Sequence, residues 1–179
     1  DMRRSAAPIE KRITKKLSVE DSIKAKKELE AVNKEVTNHV EEIIRDNQAL
    51  FISKFLVAMK DVEVPEAPRD QNGKITDSTF QYRYYKTHYF DNFDLSDVRL
   101  LRTPFYEKKL LTYLDKLIVP FPDSIYKEID WLIEKSRADT FLFKYMLTTL
   151  FNHYLQSNYI GMDAIWVYIG EKYYIPEAN

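Results

Sequence analysis

The segment 141–155 constrains the fold more than any other part of the chain. Phe141, Leu142, Phe143, Tyr145, Met146, Leu147, Leu150, Phe151, Tyr154 and Leu155 place apolar side chains on nearly every face of a helix. A helix of that kind has no face suited to water, so it belongs in the middle of a bundle. Asp139 precedes it where a carboxylate can satisfy the first free N–H groups. The flanking sequence offers partners for it. Tyr106, Leu110, Tyr113, Leu114, Leu117 and Ile118 form one stripe behind Thr103-Pro104, which reads as a cap followed by proline at the first helical position. Pro120 and Pro122 end that helix. Asp123 or Ser124 starts the next, with Ile125, Ile129, Leu132 and Ile133 at helical spacing. Gly161 suits a left-handed stop near the end of the central helix. Asp163 then opens a last helix with Ile165, Trp166, Ile169 and Tyr173 inward.

Upstream, Val19, Ile23, Leu29, Val32, Val36, Val40, Ile43 and Ile44 recur at steps of mostly three and four. They predict a helix over 19–46, with Ser18 and Asp21 as an acidic capping box and room for a turn or two from Pro8. Asn47 marks a break, and a second helix runs through Phe51, Phe55, Leu56 and Met59. Residues 61–76 read as a loop, because Pro65 and Pro68 lack a backbone donor and Asn72-Gly73 is a tight-turn pair. A helix resumes near Ser78. No period-2 strand pattern and no fixed-period repeat occurs. The expected fold is all-α: an antiparallel bundle of about six or seven helices with a long N-terminal connector helix. Two parts are expected. Residues 1–46 form a basic N-terminal arm and the connector. Residues 47–179 form a helical domain whose tail, Pro176-Glu177-Ala178-Asn179, reads as the start of a linker.

Composition excludes several function classes. The chain has no cysteine, so it carries no disulfide, thiolate metal site, cysteine nucleophile or redox dithiol of its own. Its three glycines, Gly73, Gly161 and Gly170, are far apart, which excludes a glycine-rich phosphate loop. No run of about 18 apolar residues is present, so no transmembrane segment is expected. The opening Asp1-Met2-Arg3-Arg4 has no apolar segment behind its charges. The chain therefore reads as a mature or excised fragment, with any targeting signal upstream. Residues 1–27 hold nine basic and four acidic side chains, and the remainder holds 18 basic and 24 acidic. With acids interspersed in the arm, a solvated helix face is favoured over a nucleic-acid surface, and no nucleic-acid partner is expected.

Chemistry-bearing residues gather at 80–102. Asp91, Asp94 and Asp97 recur every third residue, which is not the alternating spacing of a calcium loop, and no mid-loop glycine follows. They read as turn caps or as partners of Arg99 and Arg102. His88 and Asp91 share a helix face beside Tyr85 and Tyr89. That pairing has general-base or metal geometry, yet no second histidine lies near in sequence, and a hydrogen-bonded histidine is the plainer reading. The aromatics at 80–93, interleaved with Arg83 and Lys86, suit either a core or a stacking surface. No catalytic, cofactor-binding or metal residue is assigned, and no cofactor is expected. The candidate interaction surface is Tyr85, His88, Tyr89, Asp91, Arg99 and Arg102. The extended segment Val64-Pro65-Glu66-Ala67-Pro68 is a plain loop or a docking strand.

One block of motifs carries a family resemblance. His88-Tyr89-Phe90-Asp91, then Arg99-Leu100-Leu101-Arg102-Thr103-Pro104, then the Lys- and Leu-rich helix 108–114, then Pro122-Asp123-Ser124-Ile125 follow in order. The block resembles a helical domain of unknown function in Bacteroidetes envelope proteins, where it lies upstream of a thioredoxin-like domain. The likeness covers roughly residues 45–175, and the long helix before it is similar to the connector after an N-terminal β domain in such proteins. It implies a periplasmic or membrane-tethered thiol–disulfide oxidoreductase of which this chain is the non-catalytic helical part. The implied partners are the downstream thioredoxin-like domain and a client protein or a second copy. The redox dithiol would belong to that later domain, since none maps onto this chain. The alternative reading is a free-standing helical binding module that uses the 80–102 surface.

Overall fold

A computed structural model describes residues 19–177, with side chains from Ile23 onward. Ser18 and the Asp21 side chain of the predicted capping box, the turns near Pro8 and the charges of the first 18 residues lie outside what the structure describes. The chain divides into a unit that ends at Val57 and a second that begins at Ala58.

In the first unit the periodic segment forms α1, Val19–Asp46, as its spacing predicts. Leu29, Val32, Val36, Val40, Ile43 and Ile44 are half-buried, while the charged positions between them are mostly exposed. Asn47 ends the helix by a specific device. Its backbone N–H and its side-chain Nδ2 both donate to the Ile43 carbonyl, at 3.1 and 2.9 Å. This satisfies an acceptor that the helix end leaves free. The buried Ser53 hydroxyl then donates to the Asn47 carbonyl at 2.7 Å, tying the turn to α2, Phe51–Ala58.

The second unit opens on the predicted loop. The Asp70 carboxylate accepts the N–H groups of Asn72 and Lys74 at 2.9 Å each, and Gly73 takes φ +79°, which its missing Cβ allows. A single bridge, Arg69 to Ile75, is the only β pairing among the described residues. Then follow α3 (Phe80–His88), a 3-10 turn (Val98–Arg102) and α4 (Tyr106–Thr112), which passes into a π turn, Tyr113–Leu117. After it come α5 (Pro122–Ser136), α6 (Thr140–Leu155) and α7 (Asp163–Ile169), the last extended by a π turn, Gly170–Tyr174, and a final turn, Ile175–Glu177. The described residues thus form seven α-helices and no strand, an all-α bundle.

The predicted stripes supply its core. Tyr106, Leu110, Leu114, Ile125, Ile129, Leu132, Ile133, Ile165 and Ile169 are all buried. They surround Leu142, Met146, Leu147 and Leu150 of α6, which packs against both α5 and α7. The Asp139 carboxylate accepts the Leu142 N–H at 2.9 Å, as expected of a cap. Asp139→Ala is expected to cost about 1 kcal/mol, seen as a lower urea midpoint with an unchanged slope.

Three local expectations are corrected. The central helix is not enclosed all round: Phe141 is 68% exposed and Leu155 is 49% exposed. Thr103 does not cap α4. Its hydroxyl bonds back to the Leu100 carbonyl at 2.6 Å and closes the 3-10 turn, and α4 begins three residues later. Gly161 has the expected positive φ, +86°, but it sits in the turn before α7, and α6 closes at Gln156.

A polar cluster joins α5 to the last helical segment. The Asp130 carboxylate accepts from the hydroxyls of Tyr168 at 2.8 Å and Tyr173 at 2.6 Å, and from the Lys172 ammonium at 2.8 Å. Lys172 also donates to the Tyr168 hydroxyl at 2.6 Å. Desolvation acts to raise the Asp130 carboxyl, but the three hydrogen bonds and the Lys172 charge outweigh it and hold it below its ordinary value.

Candidate functional site

The aromatic residues at 80–93 divide between core and cleft. α3 is short, and its last turn delivers the chain to a series of tight turns at 88–97 that reverse it toward α4. Tyr89 and Phe93 turn inward and are buried. Tyr89 stacks on Tyr113 at 5.6 Å, and Phe93 packs on Tyr106 at 5.4 Å. The Tyr106 hydroxyl donates to the Leu95 carbonyl at 2.7 Å, which pins the turn to α4. Phe90 stays half-buried, with its ring 4.9 Å from Tyr113 and 5.8 Å from Trp131.

With Phe93, these three rings form the aromatic part of a cleft of about 580 Å³. Its charged lining includes Lys86, Asp91, Asp94, Glu128 and Lys135. The Lys86 ammonium pairs with Glu128 at 3.0 Å, and the Tyr113 hydroxyl donates to the other Glu128 oxygen at 2.8 Å. Burial and the bond to Glu128 push the Tyr113 phenol well above its ordinary range, so it remains a neutral donor at physiological pH. Trp131 is 38% exposed, so part of its surface is open at the cleft. A concave, partly aromatic surface with both signs of charge can hold a polypeptide side chain and orient the flanking polar groups.

The six candidate residues of the sequence do not converge. His88 and Asp91 do meet, with Nδ1 2.6 Å from the carboxylate, and the His88 ring lies 4.1 Å from that of Tyr84. Asp91 belongs to the cleft lining. Tyr85 packs edge-on against Tyr89 at 5.5 Å, and both line a second, smaller cleft. Arg99 is held by Asp97 through two side-chain bonds of 2.8 and 2.6 Å, which raise its pKa further and keep it charged. Asp94 accepts from the Ser96 N–H and hydroxyl at 3.0 and 2.6 Å. Asp94 and Asp97 are therefore turn caps and an arginine partner, as their spacing suggests. Arg102 is exposed at the end of the 3-10 turn and lines neither cleft. His153 pairs with Asp115 at 2.9 Å, and His39 lies 3.8 Å from Glu42 in α1. Among the described residues, no three metal-ligating side chains come together.

Sequence reading misses Trp131, Glu128 and Lys135. The one sequence cue is that Trp131 falls off the stripe of Ile125, Ile129, Leu132 and Ile133, which places it outside the buried face of α5.

None of the described helices is long and apolar enough to cross a membrane. No curated protein and no solved structure matches the chain. A family described as a domain of unknown function, DUF5106, matches residues 21–178, and the chain belongs to it.

Proposed function

We propose that this DUF5106 domain is a non-catalytic accessory module of a cell-envelope thiol–disulfide oxidoreductase. In this reading it holds part of a client polypeptide over Phe90, Tyr113 and Trp131, while a thioredoxin-like domain of the same parent protein does the chemistry. The observation that carries the reading is the open cleft with its exposed indole. Two features support the accessory role. The whole chain lacks cysteine, so thiol exchange has to come from another domain. The block from His88 to Ile125 is the one that resembles helical domains upstream of a thioredoxin-like domain. A periplasmic or membrane-tethered location follows from the same resemblance.

The cleft suits a polypeptide for chemical reasons. Aromatic faces accept an apolar side chain with little ordering cost. Lys135 and the Lys86–Glu128 pair offer donors and acceptors for a client backbone. A free-standing binding module would use the same surface, and the parent reading frame separates the two. It is expected to encode a Cys-x-x-Cys domain after Asn179, and a parent protein without one would refute the accessory role. In the parent protein, Trp131→Ala is expected to weaken binding of a reduced, unfolded client about tenfold. The reaction of the dithiol with a small disulfide should not change. Unaltered client binding would refute the cleft.

A further inference from the structure

The second cleft has a volume of about 270 Å³ and shares no lining residue with the one over Trp131. Ala58, Met59 and Val62 give it apolar lining, and Tyr85, Lys108 and Lys109 give it polar groups. Lys109 is half-buried there, with its ammonium 5.5 Å from the centre of the Tyr89 ring and 5.4 Å from that of Phe93. Among the described residues, neither Lys108 nor Lys109 has a carboxylate within ion-pair distance. The ring faces compensate only part of the lost hydration. Burial accordingly pulls the Lys109 pKa down, and the charge of Asp61, which also lines the cleft, does not restore it. Tyr89 supplies no negative charge, because burial pushes its phenol up to about 12. The site is thus a partly desolvated cation with no carboxylate in ion-pair contact, and it adjoins an apolar wall.

We propose that this cleft binds a small monocarboxylate with a short apolar body. The carboxylate accepts from Lys109 and Lys108, and the body lies against Ala58, Met59 and Val62. The carboxylate class follows from the charges. Two lysines against Asp61 leave a single net positive charge, which suits a monoanion and disfavours a phosphate dianion. The size is bounded by the volume of about 270 Å³, just under the range of about 300–1,000 Å³ usual for drug-sized ligands. That is room for a six-carbon acid, or for the last residue of a peptide with a free carboxyl end. The site does not depend on the function proposed for the larger cleft.

The test titrates hexanoate into the purified 179-residue chain and follows amide shifts by NMR, with hexanol as the uncharged control. Hexanoate is expected to saturate the residues of this cleft, and hexanol to bind at least about tenfold more weakly. Lys109→Met keeps the bulk of the side chain and removes its charge. It should weaken hexanoate about tenfold without lowering the thermal midpoint, because a half-buried charge is replaced by a packed apolar group. Lys109→Arg should retain binding. Acetyl-Ala-Leu with a free or an amidated end tells whether a peptide terminus is the better source of the carboxylate. The proposal is overturned if hexanoate and hexanol bind alike, if neither carboxylate saturates the site, or if Lys109→Met binds hexanoate as the wild type does.

Discussion

Leu150→Ala is expected to destabilise the helical domain by about 3–5 kcal/mol. Leu150 is fully buried in α6, the helix against which α5 and α7 both pack. Removing its branched end abandons the transfer energy of three carbons and leaves a cavity that rigid neighbours fill only in part. Against a total stability of about 5–15 kcal/mol, that is a large share. The thermal midpoint should fall by roughly 10 °C. Phe141→Ala provides the contrast on the same helix. It removes a larger side chain, yet one that is 68% exposed, so its cost should stay within about 1 kcal/mol. Calorimetry of the two variants checks both values. Equal losses would mean that α6 is enclosed on all sides, as its sequence alone suggests.

Asp130→Ala is the second large effect, about 2 kcal/mol near neutral pH after allowing for partial exposure of the cluster. Three donors from the last helical segment converge on this carboxylate, and the substitution releases all of them. The pH dependence has a definite sign. The Asp130 carboxyl lies below its ordinary value of 3.8 in the folded chain. Its contribution is therefore complete above about pH 4 and is lost as pH falls through the folded value. At the alkaline end the Tyr173 phenol is raised from 10.0 to about 12, first by burial and then by its bond to Asp130. That part of the stability is complete below pH 10 and fades as pH rises toward 12. Urea midpoints measured from pH 2 to pH 11 should show the wild type and Asp130→Ala furthest apart between pH 5 and 9, converging toward pH 2 as Asp130 protonates and only in part by pH 11, where the bond to Asp130 holds the Lys172 pKa above its ordinary 10.5. A constant gap across the range would remove the cluster from the account.

Much of the helical body is legible in the amino-acid sequence, for reasons that can be named residue by residue. The stripe of Ile125, Ile129, Leu132 and Ile133 is buried as its spacing predicts, because side chains at those intervals share one face of an α-helix. Asp139 caps as predicted, because a capping bond joins groups only three residues apart. The 28-residue α1 matches its predicted range because apolar spacing extends from Val19 to Ile44 and Asn47 breaks it. Thr103 misleads because threonine satisfies either kind of helix end, and only the fold decides which one is near. The site is harder to read. His88 and Asp91 are neighbours on one turn, so spacing alone predicts their pairing. The meeting of Phe90 with Trp131 joins residues far apart in sequence, and Lys109 looks like any other surface lysine of an amphipathic helix.

Local patterns in the chain thus suffice for the all-α class, the positions of the helices, most of their inward faces and the absence of thiol chemistry. These depend on periodicity, capping and residue identity, each confined to a few neighbouring positions. Packing between helices settles which face of α6 remains open, which aromatics of 80–93 turn inward, and where clefts remain beside Trp131 and Lys109. Those outcomes depend on which other helix covers a given side chain. That is a property of contacts between distant segments, and one segment's pattern does not contain it.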